Sequence, residues 1–245
     1  MKVAVCLSGH TRYYQDIDPR VDCFSSCENI EIDYFVSTHR QDGVSKIHQD
    51  GLPIGFHYYG HAQTKDTDIN ALTECFSPKM MEVSDDQFIE DPIFQKFNNA
   101  RNYHGLVIHQ VVNMFYKIYR ANLLKKQYED KMNFKYDLVI RHRFDAKLTA
   151  VKIQGFDKKL LIKKHKIHPR GFHDLLFMGA SEVMDTASGC FSWLMSKDID
   201  FFQEYECAEY IFEDYIKEVF KEKNVLFSED FFFTFFSARE GMIHL

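Results

Sequence analysis

The sequence predicts an α/β protein with a mostly parallel central sheet flanked by helices. Segments that read as strands alternate with loops and with amphipathic helical segments along the 245 residues. Several of these strands are apolar without interruption, as in a strand covered on both faces. Polar clusters follow three of them: Ser8-Gly9-His10-Thr11-Arg12, Ser37-Thr38-His39-Arg40 and Arg141 to Asp145. In open α/β sheets, ligands bind outside the carboxyl ends of the strands.

The elements follow in order. "KVAVCL" (2–7) is a strand closed by a turn at Ser8-Gly9, and residues 30–39 form a second core strand. Residues 40–77 read as loop, punctuated by Gly43, Gly51, Pro53, Gly55 and Gly60, with a short strand at "GFHYYG". "PKMMEVSD" (78–85) is a further strand. Ile108, Val111, Val112, Phe115, Ile118 and Tyr119 recur at helical spacing and predict a helix over 104–131. A strand at 137–145 comes next, then strands at "KKLLIKKH" and "DLLFMG". Ser181 reads as the cap of a helix running to about 195. "SKDIDFFQEYECAEYIFEDYIKEVFKE" reads as one long amphipathic helix, and "SEDFFFTFFSARE" as a short helix capped by Ser228.

Composition narrows the function classes. With 30 Lys+Arg against 36 Asp+Glu, the net charge of −6 argues against a nonspecific grip on nucleic acid through overall charge. No apolar run approaches the ~20 residues of a membrane span, so no transmembrane segment is expected. The N-terminus reads as a first strand and not as a signal peptide. Cys23 and Cys27 suit neither a zinc knuckle nor a redox pair, so all six cysteines read as reduced thiols of a cytoplasmic protein.

The stretch "YDLVIRHRFDAKL" (136–148) carries the most chemistry. If 141–145 stays extended, Arg141, Arg143 and Asp145 share one face at steps of roughly 6.5–7 Å, with His142 and Phe144 opposite. Guanidinium forks match phosphate oxygens, and a carboxylate beside them can hold a divalent ion. That set suits a nucleoside diphosphate whose bond to a transferred group must break. The plainer alternative is a salt-bridged strand end. Ser8 and Gly9 would let a backbone approach a nucleotide, or form a simple turn. Arg12 is placed to reach phosphate or base. His39 would stack on a base or bond a loop carbonyl.

"KVAVCLSGHTR", "DYFVSTH", "NMFYKIYRANLLKKQYE", "YDLVIRHRFDAKL" and "DLLFMGASEVMD" form an ordered set over residues 2–186. Together they resemble a family of small glycosyltransferase-like proteins from bacterial, phage and large-virus modification loci, itself similar to GT-A nucleotide-sugar transferases. The resemblance implies a GT-A-like, Rossmann-type sandwich as one domain over 1–245, with a nucleotide-binding half (1–145) and an acceptor-side half (146–245). It implies sugar transfer from a nucleoside-diphosphate sugar, UDP-sugars first among them, to a hydroxyl. The acceptor would be a glycan or a hydroxymethylated DNA base, with Lys158-Lys159 and Lys163-Lys164 as a basic patch. For a phage or viral protein the compartment would be the host cytoplasm.

GT-A enzymes carry a D-x-D element, and here the matching stretch is Arg143-Phe144-Asp145. Arginine replaces the first acid, which leaves Asp145 to hold Mn²⁺ or Mg²⁺ and gives Arg143 part of the charge neutralisation. A helix at the position of 104–131 would bring Asn113 or Lys117 to the nucleotide, or leave them with Arg120 on a solvated face. Asp174 and Glu229 are the candidate bases for the acceptor proton. Their plainer readings are a solvated strand-edge acid and, with Asp230, acids that complement a helix dipole. His165 and His168 would meet diphosphate from a flexible lid or simply belong to a basic loop, and the Phe run 231–236 reads as core or aromatic wall. A sugar-phosphate nucleotidyltransferase would need a Gly-rich signature richer than "LSGHTR". A catalytically silent nucleotide-sugar-binding module and a purely structural domain complete the alternatives.

Overall fold

Strands apolar on both sides need cover above and below, and the tertiary structure supplies it with helices on one face and, on the other, a second core that takes in Tyr14, Leu72, Phe76, Phe144 and Leu148. The computed structural model describes residues 1–11, 14, 29–42, 65–84, 92–98, 100–151, 159–164, 170–220, 225–227, 231–237 and 241–244. In chain order the elements are β1 (Lys2–Gly9), β2 (Glu31–His39), β3 (Gln41–Asp42), β4 (Lys65–Asp66), α1 (Ile69–Phe76) and β5 (Met80–Ser84). Then come α2 (Pro92–Gln95), α3 (Ile108–Met132), β6 (Leu138–His142), β7 (Ala146–Val151), β8 (Leu160–Lys164) and β9 (Phe172–Gly179). The last part holds α4 (Ser181–Ala187), α5 (Cys190–Met195), a 3-10 turn (Asp200–Glu204), α6 (Ala208–Val219), β10 (Val225–Phe227), β11 (Phe231–Ser237) and β12 (Gly241–His244).

The protein is α/β, with a mostly parallel mixed sheet. Among the described residues that sheet has seven strands in the order β10-β8-β9-β6-β1-β2-β5. β5, β2, β1 and β6 run parallel to one another, β9 runs against its neighbours, and β10 runs parallel to β8. Side chains alternate between two cores. Ala4, Cys6, Phe35 and Val139 pack with Phe115 and Phe212 on the side of α3. Val3, Val5, Leu7, Val36, Leu138 and Ile140 pack with Phe76 and Phe144 on the other. Among the described residues no helix is long and apolar enough to cross a membrane.

α3 forms where its apolar spacing predicts it and packs on β1, β2 and β5. It ends at Asn133, whose left-handed backbone (φ 54°) turns its N–H onto the Glu129 carbonyl.

Five expectations fail. Residues 69–76, inside the predicted loop, are helical, with Asp68 Oδ1 accepting from the Ala71 N–H at 2.9 Å as a cap. Ser181 does not cap; it is the first residue of α4, and its hydroxyl turns away to Glu129 at 2.7 Å. The helix it was to open breaks after Ala187 and resumes at Cys190. The long helix after 196 is a 3-10 turn followed by α6, broken at Tyr205–Cys207. Residues 231–237 form a strand between β7 and β12, not a helix. "GFHYYG" lies outside the described residues.

Candidate functional site

The parallel strands β6, β1 and β2 are neighbours, so their carboxyl ends form one rim. From β1 the chain adds β2 and β5 on one side, then crosses through α3 to β6 on the other. The sheet order therefore reverses between β1 and β6, the switch point at which α/β sheets take ligands. The described residues of all three polar clusters noted in the sequence meet along this rim.

On β1 and β2 the register pairs Ser8 with Ser37 and Gly9 with Thr38. Gly9 has φ +104°, closed to L side chains, and a Cβ there would meet nothing within 4 Å. Its carbonyl accepts from Thr38 Oγ1 at 2.7 Å. The His10 ring stacks on His39 at 4.1 Å and 16°. Ser8 and Ser37 are buried, and among the described residues their hydroxyls have no hydrogen-bond partner. Strand alternation places both on the face of Cys6 and Phe35. Ser37 and His10 were missed as candidates, although Ser37 ends its strand just as Ser8 ends β1.

At β6 the extended row expected over 141–145 does not form. The strand stops at His142, and a turn returns the chain, with the Ala146 N–H donating to the Arg143 carbonyl at 3.3 Å. The turn folds Arg143 onto Asp145: Nε donates to Oδ1 at 2.8 Å and Nη2 to Oδ2 at 2.5 Å. Arg141 stays in the strand, 2% exposed, with Nη1 donating to the Leu175 carbonyl at 2.7 Å and Nε without a partner among the described residues. Burial pulls its guanidinium down to about 9 even though Asp174 and Asp145 oppose the shift, so it stays charged at neutral pH. His142 is wholly buried and held down to about 4 by desolvation, which keeps it neutral. Its Nδ1 lies 2.6 Å from the Arg143 carbonyl and so carries the ring proton.

Because β9 is antiparallel to β6, its starting end reaches the same rim and delivers His173 and Asp174. Asp174 is not a solvated strand-edge acid: it is 3% exposed. Among the described residues its carboxylate receives no hydrogen bond, and Arg143 Nη1 lies 3.8 Å from Oδ2.

Lys117 is neither solvated nor loose. At 1% exposed it donates to the Thr38 carbonyl at 2.8 Å and to the Ser84 hydroxyl, tying the ends of β2 and β5 together. Asn113, one turn earlier, is half-buried. Arg120 forks onto Glu82. Lys163 is 3% exposed and leaves the basic patch expected with Lys158, Lys159 and Lys164. Arg12, His165, His168, Glu229 and Asp230 lie outside the described residues.

The resemblance implies a divalent ion at Asp145. Both oxygens of that carboxylate accept from Arg143, and Asp174 faces the same guanidinium. In this arrangement the residues do not fit a resident dication, which would have to displace a bidentate pair beside a second buried guanidinium. Among the described residues no group of three His, Cys, Asp or Glu side chains could hold a metal ion. No protein-family model matches the chain, and no curated protein emerges as a relative.

Proposed function

We propose that this chain is a glycosyltransferase of GT-A type that moves a sugar from a nucleoside-diphosphate sugar to an acceptor hydroxyl. The observation that carries the reading is Arg141: a buried guanidinium at the switch point, with an unpartnered N–H and two carboxylates around it. A structural salt bridge would have no reason to leave that donor unsatisfied at the rim where α/β sheets take ligands. Gly9 gives backbone access to a nucleotide, and Ser8 and Ser37 offer hydroxyls on the same rim.

In the reaction, the acceptor oxygen bonds to the anomeric carbon as the carbon–oxygen bond to the diphosphate breaks. The diphosphate leaves with the electron pair, stabilised by Arg141 and Arg143. Asp174, a buried carboxylate that receives no hydrogen bond among the described residues, takes the acceptor proton. A glycan hydroxyl is the favoured acceptor over a modified DNA base, since Lys163 is buried.

A catalytically silent nucleotide-sugar-binding module is the second reading. The engagement of both Asp145 oxygens by Arg143 favours it, because one acid of the site is then structural. Incubation with UDP-sugars, reading release of free UDP, separates the two. Turnover that is lost in Asp174→Asn while UDP binding persists supports the enzyme. Binding without turnover under any condition supports the module. No binding of any nucleoside diphosphate overturns both.

A further inference from the structure

We propose that the diphosphate at this rim is recognised by the clamped guanidinium of Arg143, with Asp145 as its positioning residue and not as a metal ligand. This rests on the nucleotide-sugar reading. Two parallel hydrogen bonds, at 2.8 and 2.5 Å, fix both the position and the plane of the guanidinium. Asp174 approaches the same group from its Nη1 side at 3.8 Å.

Burial orders the charges. The Arg143 side chain is 26% exposed, whereas those of Asp145 and Asp174 are each 5% exposed. A ligand arriving from solvent meets the cation first and the carboxylates behind it. A dication meets repulsion there, and a phosphate meets donors already held in place. Among the described residues the two guanidiniums and two carboxylates balance in charge, so their orientation, and not their net charge, supplies the attraction. Arg141 adds a separate sign, since its buried Nε–H has no partner and is suited to a ligand oxygen. The Arg143-Phe144-Asp145 stretch is thereby explained as a unit: arginine acts on the ligand and aspartate fixes the arginine.

The test is calorimetric binding of inorganic pyrophosphate and of UDP, GDP, ADP and CDP, each in EDTA and in Mn²⁺. The expected result is binding in EDTA within about threefold of that in Mn²⁺. Arg143→Lys, which cannot fork, and Asp145→Asn should each weaken it about tenfold in EDTA, and the double variant little further. Additive losses would mean that Asp145 acts on its own, and would overturn the proposal. So would binding that needs Mn²⁺ and loses that need in Asp145→Asn; the nucleotide-sugar reading would survive. Absence of binding in both media would remove both ideas. Arg143 is the more exposed partner, so Arg143→Lys keeps the test open if Asp145→Asn fails to fold.

Discussion

Two polar clusters sit at opposite ends of the same sheet, and they differ in how completely they are satisfied. At the end where β6 begins and β9 finishes, Lys125 places its ammonium against Glu129 Oε2 (3.2 Å), Ser181 Oγ (2.7 Å) and Asp185 Oδ1 (2.7 Å). Three donors have three acceptors. Glu129 in turn accepts from the Tyr136 N–H, the Ser181 hydroxyl and Lys135. At the other end, among the described residues, Arg141 Nε, Ser8 Oγ and Ser37 Oγ have no partner, and Asp174 receives no hydrogen bond. Both clusters are buried and charged. The closed one fixes helix to sheet, and the open one is built for something that arrives.

The largest expected effect breaks the closed cluster. Lys125→Ala leaves Glu129 and Asp185 without their buried cation and should cost about 3–5 kcal/mol. For a chain of this size that is roughly a 10 °C fall in melting temperature. An unchanged melting curve would show that the cluster contributes nothing to stability.

A smaller effect concerns His142 at the open rim. Folded, the imidazole is held at about 4, against 6.5 when free, so below pH 6.5 the unfolded chain binds a proton that the folded one refuses. Its contribution is full above pH 6.5 and is lost as pH falls towards 4, by about 3 kcal/mol at ~1.4 kcal/mol per pH unit. Urea unfolding across that range should show the slope, and His142→Asn should flatten it. A slope that persists in the variant would assign it to carboxylates elsewhere.

The smallest effect sharpens the contrast between two serines. Ser181→Ala removes a hydroxyl that is both donor and acceptor and should destabilise by about 1–3 kcal/mol. Ser37→Ala removes an unpartnered one and should leave stability unchanged or raise it by up to about 1 kcal/mol. Equal losses in chemical denaturation would abolish the distinction between the two ends.

Much of this was legible in the sequence. β1, β2 and β6 are continuous apolar runs because parallel strands are covered on both faces. α3 carries its helical period over many turns. Reading the polar clusters as the ends of those strands located the rim, because parallel neighbours must finish on one side.

Other features were not legible, for reasons that can be named. Phe231–Ser237 has no period to tell helix from strand, and the acids before it resemble a cap; pairing with β7 settles its state. Lys117, Lys125 and Glu129 look like a solvated helix face until carbonyls and hydroxyls distant in the chain cover them. Alternation rightly put Arg141 on one face of a strand, but it assumed that the strand continued.

Residue order alone settles which segments are core strands, which is the long helix, and that charge gathers where the strands end. Local periodicity and residue type carry that information, because each reports how a segment must be covered. Folding adds that Arg143 turns back onto Asp145, that Asp174 arrives from an antiparallel strand, and that Ser8, Ser37 and Arg141 keep unsatisfied atoms among the described residues. Those are contacts between residues brought together by turns and by strand order, and neither is written in the spacing of any single segment.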